Sequence, residues 1–271
     1  MYGPSDLDVL IPTRDRPAAL AVTLAGLAAQ NVSGFRVVVS DQSGSPVGED
    51  PLAATAVRIL EHRGQPVELL RHVPARGLAE QRQFLLDQAE RRLALFLDDD
   101  VWLEPGAVEV LLLAMGELGC GFVGFALHGL SYRDDLRPHE LAPYEEWGRE
   151  VLPERVRRGD PAWGRHTLHN ASNPLHLAEK TARDRAWWAY KVAWIGGCVL
   201  YDRARLVECG GFAFWPSVPP AHAGEDVVAE LRVMERYGGA GLLPSRAYHL
   251  ELPTTVVDRS AECYDYMLEA R

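Results

Sequence analysis

Three consecutive carboxylates, Asp98, Asp99 and Asp100, follow the apolar run LALFL at residues 93–97. At the end of a buried strand they repel one another, and each is costly to remove from water without a partner. A divalent cation removes that conflict, since Mg²⁺ and Mn²⁺ are commonly shared between carboxylates and substrate phosphates. The triplet therefore indicates a metal site, with a solvated acidic loop as the alternative.

A second acidic pair, Glu225 and Asp226, opens the stretch GEDVVAELRVMERYG, whose apolar residues recur at helical spacing. Carboxylates are favourable at the N-terminus of a helix, so simple capping explains this pair. A positioned carboxylate can also act as a general base, which is worth roughly 10²–10⁴-fold in rate. The sequence alone leaves both interpretations open.

Other polar side chains lie next to apolar runs and have structural explanations too. Asp41 follows the run FRVVVS and could be only a turn residue, and Arg82 could be a solvated helix residue. His249 lies in the strand-like segment RAYHL, where a neutral imidazole would suit Mn²⁺. His222 is a rival for that ligand position, and either histidine could be purely structural.

Alternating strand and helix patterns must position these residues. Apolar β-branched runs predict strands, and the Ala- and Leu-rich runs between them predict helices. The predicted strands span residues 8–11, 35–40, 67–72, 93–97, 120–127 and 192–201, and the predicted helices span 17–30, 52–62, 78–92, 105–118 and 225–237. This order indicates an α/β fold whose mostly parallel sheet has helices on both faces, with ligands beyond the carboxyl ends of the strands.

Residues 131–190 break this pattern. The segment mixes arginines and tryptophans with several prolines and has no clear period. A long irregular stretch in a compact domain is commonly a functional lid. Its basic content suggests an anionic or phosphorylated ligand, although its arginines could equally pair with acidic residues nearby.

The composition is that of a folded, acidic protein. The 271 residues carry a formal net charge of −10, and 47 % are hydrophobic against 24 % charged. This argues against a disordered chain and against nucleic-acid binding, which needs a basic surface. No apolar leader or membrane span is visible, so we expect a cytoplasmic protein, with peripheral association at a membrane left open. The four cysteines lack metal-site spacing, so we expect reduced thiols.

The ordered set of polar segments resembles the family 2 glycosyltransferases of GT-A fold, over about residues 6–250. The segments that carry the resemblance are IPTRDRP at 11–17, VSDQS at 39–43, GLAEQRQ at 77–83, DDD at 98–100, IGGC at 195–198 and GED at 224–226. The resemblance implies one GT-A domain over residues 1–271. Within it we expect a nucleotide-binding half at 6–130, an irregular insertion or lid at 131–190, an acceptor-side half at 191–255 and a C-terminal tail at 256–271.

For the nucleotide of the donor, the resemblance implies two groups of contacts. Pro12, Thr13 and Arg14 match the first loop of the family, which lies along the base and the ribose. Asp41 matches the acidic residue after the second strand, which accepts a hydrogen bond from the base, commonly uracil.

For the diphosphate and the metal, the resemblance implies further roles. Arg82 matches an arginine that faces the diphosphate. Asp100 is expected to bind Mn²⁺ or Mg²⁺, with His249 as a second ligand, while Asp98 or Asp99 contacts the ribose.

On the acceptor side, Asp226 matches the carboxylate that deprotonates the acceptor in inverting members of the family. Glu225 is then expected to contact the sugar or the acceptor. Gly196 and Gly197 match the floor of the pocket, where small residues let the backbone approach a ligand closely.

These roles combine into a metal-dependent, inverting transfer of a sugar from a nucleotide sugar, with a UDP-sugar first among the donors, to a hydroxyl acceptor. The acceptor itself is unknown, and an anionic or lipid-linked molecule is one option. The alternatives are a nucleotidyltransferase, and a non-catalytic nucleotide- or sugar-binding protein on a degenerate GT-A fold. An aspartyl phosphatase fits less well, because Trp102 stands where its motif needs Thr or Val.

Overall fold

Strands and helices alternate along the first half of the chain. The computed structural model describes residues 1–256 and 258–268. The strands are β1 Leu7–Thr13, β2 Arg36–Asp41, β3 Val67–Arg71, β4 Leu93–Leu97, β5 Val101–Leu103, β6 Phe122–Gly124, β7 Trp188–Tyr190, β8 Cys198–Asp202, β9 Gly239–Leu243 and β10 Ala247–His249. The helices are α1 Pro17–Ala28, α2 Pro51–His62, α3 Leu78–Gln88, α4 Ala107–Leu118, α5 Asn173–Lys180, α6 Arg203–Glu208, α7 Glu225–Tyr237 and α8 Cys263–Met267.

A single large sheet organises the described part of the chain. Its strand order is β3-β2-β1-β4-β8-β6-β9-β7. Strands β3, β2, β1 and β4 are parallel, and β9 pairs parallel with β6. Strand β8 is antiparallel to both β4 and β6, and β7 is antiparallel to β9. The expected α/β architecture with a mostly parallel sheet is therefore confirmed.

Continuous burial explains why β1 and its neighbours read as unbroken apolar runs. Every residue of β1 is buried. Val9 and Ile11 belong to the same core cluster as Leu20 of α1, whereas Leu10 belongs to the opposite cluster with Leu85 of α3. A strand with helices on both faces needs apolar side chains on both faces, so it shows no polar alternation.

A second sheet, of two strands, forms beside the carboxyl end of β4. Strands β5 and β10 pair antiparallel, with His249 opposite Val101. This pairing brings residues almost 150 positions apart into register and places His249 next to the acidic triplet. Strand β5 was not predicted from the sequence, because a strand of three residues is too short to show a period.

Helix α3 ends four residues earlier than predicted, for a clear physical reason. The predicted helix ran to residue 92, but α3 ends at Gln88. The backbone N–H groups of Glu90 and Arg91 donate to the buried Asp8 carboxylate, at 2.7 and 2.9 Å. This side chain takes donors that a continuing helix would use internally.

The irregular segment at 131–190 contains short helical turns, the helix α5 and the edge strand β7. Several of its arginines form ion pairs: Arg137 with Asp135, Arg157 with Glu235, Arg158 with Asp265, and Arg165 with Glu154. None of the helices in residues 1–256 and 258–268 has the length and apolar composition of a membrane span.

Candidate active site

A cavity of about 470 Å³ opens at the carboxyl ends of β1 and β4. Three parts of the chain meet there: the loop after β1, the acidic triplet after β4, and the N-terminus of α7. The side chains that matter most for chemistry are those of Arg16, Asp98, Asp100, Asp226 and His249. In open α/β sheets this edge is where ligands bind.

Buried hydrogen bonds hold the acidic triplet in place. The Thr13 hydroxyl donates to Asp99 Oδ2 at 2.7 Å, and the Thr23 hydroxyl donates to the Asp99 carbonyl at 2.8 Å. Burial raises the pKa of Asp99 to about 7, although the Thr13 hydrogen bond and the Arg16 charge oppose this. Ionisation of Asp99 is thus unfavourable unless a positive charge lies nearby.

Arg16 supplies part of that positive charge. Its guanidinium pairs with Asp100 and lies 3.3 Å from Asp99 Oδ1. Burial acts against ionisation of Asp100, but His249 and Arg16 outweigh it and lower the pKa of this carboxyl. Arg16 had no role predicted from the sequence; its basic type in the loop after β1 was the available signal.

Asp100 and His249 form the pair that best fits a metal ion. Asp100 Oδ2 and His249 Nε2 are 3.3 Å apart and both line the cavity. Within residues 1–256 and 258–268, no group of three or more His, Cys, Asp or Glu side chains is arranged around a common metal position. One carboxylate and one imidazole suit Mn²⁺, and such a site keeps coordination positions for substrate phosphates.

Arg82 connects the triplet with α7. Its Nη2 donates to Asp98 Oδ1 at 2.8 Å, and its Nε donates to Glu225 Oε1 at 2.9 Å. The side chain is 3 % exposed, and the charges of Asp98 and Glu225 raise its pKa against the effect of burial. Arg82 therefore lines the cavity with its guanidinium already bound by two carboxylates.

His222 supports the helix that carries Arg82. Its Nε2 accepts the backbone N–H of Ala79 at 3.0 Å, and its Nδ1 lies 2.6 Å from the Pro219 carbonyl. Both ring nitrogens therefore have protein partners. The structure places His249, and not His222, beside the acidic triplet.

Asp226 lies at the first turn of α7 and faces the cavity. Burial and the Glu225 charge raise its pKa to about 6, while the Arg82 charge acts in the opposite direction. A carboxylate with a pKa of this size is ionised at neutral pH and is a stronger base than an exposed aspartate.

The residues expected to bind the nucleotide divide into two groups. Pro12, Thr13 and Arg14 line the cavity, and the Arg14 side chain is 59 % exposed. Asp41 is outside the cavity lining and is 2 % exposed. Its carboxylate accepts the N–H groups of Ser43 and Val47 and a guanidinium N–H of Arg71, at 2.8 to 2.9 Å.

Gly196 and Gly197 form the turn that leads into β8. Their φ angles are +71° and +66°, a region that glycine adopts without strain. A Cβ at Gly196 would lie 2.9 Å from Asp226 Oδ2, and one at Gly197 would lie 2.4 Å from a Leu127 methyl carbon. The turn therefore lies close to the Asp226 carboxylate, and Trp194, two residues before Gly196, lines the cavity itself.

The segment after β10 also lines the cavity. Leu252, the stretch 254–256, Arg259 and Glu262 are among the residues that border it. Residues from 256 onward were predicted only as a tail. This segment has no periodic pattern that could have indicated its position.

One family model matches more than half of the chain. The model described as Glycosyl transferase family 2 matches residues 8–173. No curated protein matches the chain in sequence.

Solved structures share the fold at low sequence identity. The crystal structure of S. aureus TarS 1–349 aligns with a TM-score of 0.58 and 16 % identity, covering 90 % of this chain and 60 % of that one. Its complex with UDP-GlcNAc gives 0.56 and 16 %, covering 92 % and 59 %. The mannosyltransferase PcManGT from Pyrobaculum calidifontis, in complex with GDP-Man and Mn²⁺, gives 0.52 and 16 %, covering 94 % and 57 %. The chain thus spans about 60 % of the length of these structures.

Proposed function

Because the chain belongs to glycosyl transferase family 2, we propose that it transfers a sugar from a nucleoside-diphosphate sugar to an acceptor hydroxyl, with inversion at the anomeric carbon. The family match agrees with the family expected from the ordered polar segments. One observation carries the proposal: Asp226 faces the same cavity as the Asp100–His249 pair.

The donor would lie across the carboxyl ends of β1 and β4. Pro12, Thr13 and Arg14 would contact the base and the ribose, and Asp98 or Asp99 would bind the ribose hydroxyls. Asp41 would support the nucleotide site indirectly, because its hydrogen bonds to Ser43 and Val47 fix the loop after β2. UDP-GlcNAc and GDP-Man, the nucleotide sugars in the complexes of the similar structures, define the class of donor to be tested.

A divalent cation would be held by Asp100 and His249. Mn²⁺ or Mg²⁺ bound there would neutralise negative charge on the departing nucleoside diphosphate. The Mn²⁺ in the PcManGT complex supports a divalent ion for this fold. Arg16 would then be released from Asp100 to face the phosphates.

Asp226 would take the proton of the acceptor hydroxyl while the hydroxyl oxygen attacks the anomeric carbon. The new carbon–oxygen bond forms while the bond to the diphosphate oxygen breaks, and the nucleoside diphosphate leaves with the electron pair. Arg82 would hold Asp98 and Glu225 at fixed positions on the two sides of this reaction. Oε1 of Glu225 accepts a hydrogen bond from Arg82, and its second oxygen would bind the sugar or the acceptor.

The remaining parts of the chain would form the acceptor side. We assign this role to Trp194, to the insertion at 131–190 and to the segment after β10. The ion pairs formed by arginines of the insertion weaken the charge argument for an anionic acceptor, so we commit only to a hydroxyl group. We retain the division of the single domain at about residues 130, 190 and 255 as part of the proposal.

A thermal-shift panel of UDP, GDP, TDP and CDP, each with Mn²⁺ or with EDTA, tests this proposal. A ligand at about 100 times its Kd stabilises a protein by about 2.7 kcal/mol, which is readily measured. We expect one nucleotide to stabilise the protein with Mn²⁺, and the Asp100→Ala variant to lose this metal-dependent part. No response to any nucleotide, with or without metal, would contradict the proposal.

A further inference from the structure

Glu230 is a buried carboxylate close to the proposed general base. It lies in α7, one helical turn after Asp226, and its side chain is 0 % exposed. Its neighbours Ala229 and Leu231 belong to the apolar core. A charged group at such a position is costly unless hydrogen bonds compensate for the lost water.

Two backbone N–H groups provide that compensation. Ile195 N donates to one carboxylate oxygen of Glu230 at 2.7 Å, and Gly196 N donates to the other at 2.9 Å. Burial and the Asp226 charge raise the pKa of Glu230, and these two hydrogen bonds, one to each oxygen, act against the rise and favour the ionised carboxylate. Both oxygens are thus used to hold consecutive residues of the loop between β7 and β8.

The loop held by Glu230 touches both carboxylate groups of the site. Gly196 lies so close to Asp226 that an added Cβ would be 2.9 Å from its Oδ2. The Gly197 carbonyl accepts the backbone N–H of Asp98 at 2.9 Å. A displacement of this loop would therefore shift both Asp226 and Asp98, the first residue of the acidic triplet.

We propose that Glu230 is a positioning residue: its carboxylate fixes the loop at Ile195 and Gly196 against Asp226 and so keeps the general base in its reactive orientation. The proposal rests on the function proposed above for Asp226. Glu230 itself does not line the cavity. We expect a change at Glu230 to affect turnover more than nucleotide binding, because other loops form the nucleotide end of the cavity.

The Glu230→Gln variant tests this with little change in size. Glutamine offers one acceptor oxygen, and its NH₂ group faces the second backbone N–H, so the loop loses one hydrogen bond. We expect faster amide hydrogen exchange at Ile195 and Gly196. We expect kcat for UDP-GlcNAc or GDP-mannose to fall by about 10²-fold, as for small misplacements of a catalytic group, with KM changed by less than about threefold.

Two further variants make the test specific. Glu235→Gln changes an exposed glutamate of the same helix, which pairs with Arg157, and should leave kcat and loop exchange unchanged. Gly196→Ala acts from the loop side, by placing a Cβ against Asp226 at a φ of +71°. It should reproduce the kcat loss while UDP or GDP binding with Mn²⁺ stays within about threefold of wild type.

Normal exchange at Ile195 and Gly196 in Glu230→Gln would overturn the inference, as would a kcat within about twofold of wild type. Equal losses of nucleotide binding and kcat, with a lower melting temperature, would show general destabilisation and would also overturn it. If the wild-type protein turns over no nucleotide sugar, the proposed function fails. The exchange measurement still decides whether Glu230 anchors the loop.

Discussion

Replacing Asp226 by asparagine should remove activity and increase stability at the same time. The variant keeps the size of the side chain, and its amide oxygen can still accept the Val227 N–H, which lies 2.8 Å from Asp226 Oδ1. It cannot take a proton from the acceptor. We expect kcat to fall by roughly 10²–10⁴-fold, with nucleotide affinity almost unchanged.

The gain in stability follows from the raised pKa of Asp226. Burial and the Glu225 charge move this pKa from 3.8 to about 6. The folded protein therefore binds this proton more tightly than the unfolded chain, and ionisation at neutral pH reduces stability. The difference corresponds to at most about 3 kcal/mol, and asparagine carries no such cost.

Urea unfolding at several pH values measures this effect. The stability advantage of Asp226→Asn should be full above pH 6 and should decline as the pH falls from about 6 to about 4, where the wild-type carboxyl is protonated in the folded protein. Over the same range, wild-type activity should decline as the pH falls. Asp87→Asn, an exposed aspartate of α3, is the matched control and should change neither property.

Two results would refute this reasoning. The first is an Asp226→Asn variant that keeps more than about a tenth of the wild-type kcat, since general-base loss costs far more. The second is a variant that is less stable than wild type at pH 7, because that would mean that Asp226 is stabilised as a carboxylate.

Three other substitutions test the metal site, the glycine turn and the hydrogen bonds of Asp41. Arg16→Gln removes the guanidinium that pairs with Asp100, so Mn²⁺ binding to the nucleotide-free protein, followed by electron paramagnetic resonance, should tighten by roughly fivefold. Gly197→Ala places a Cβ 2.4 Å from Leu127 Cδ1 at a φ of +66°, so it should lower stability to heat by about 1–3 kcal/mol. Asp41→Asn replaces a carboxylate that accepts three hydrogen bonds by a weaker acceptor. It should lower the free energy of unfolding in urea by about 1–3 kcal/mol at pH 7. Burial acts against ionisation of Asp41, but its hydrogen bonds outweigh it and lower its pKa, so its contribution should be full above about pH 4 and should be lost as the pH falls further, through the lowered pKa.

Each of these variants has a matched control. Arg58→Gln changes an exposed arginine of α2 and should leave Mn²⁺ affinity unchanged. Gly64→Ala has a φ of +87° but open space around its Cβ, so it isolates backbone strain from crowding. Asp87→Asn again serves for the third substitution. A variant that behaves like its control contradicts the structural reason given for it.

The parts of the site that depend on local sequence were predictable. The acidic triplet follows an apolar strand, and Glu225 and Asp226 open a helix with a clear apolar face. A strand end and a helix start are both visible in a window of about ten residues. The alternation of strands and helices then indicated that these ends meet at one edge of a parallel sheet.

The parts that depend on tertiary contacts were not predictable. The resemblance implied that Asp100 and His249 act together, but the residues alone left His249 and His222 both open, because β5 and β10, whose pairing brings His249 to Asp100, are each only three residues long. Arg16 and Glu230 have ordinary sequence neighbours, and only folding brings them to their partners. The contact of Asp41 with a base stays a prediction, whereas the donors that surround it, from its own loop and from β3, were not visible in the sequence.

Release of nucleoside diphosphate from UDP-GlcNAc or GDP-mannose, with the sugar product followed by NMR, tests the central claim most directly. The account predicts release of UDP or GDP with Mn²⁺, its loss with EDTA, and a product of inverted anomeric configuration. Asp226→Asn should bind the same nucleotide and release nucleoside diphosphate roughly 10²–10⁴-fold more slowly. Release of pyrophosphate, or turnover in Asp226→Asn above about a tenth of wild type, would contradict the account.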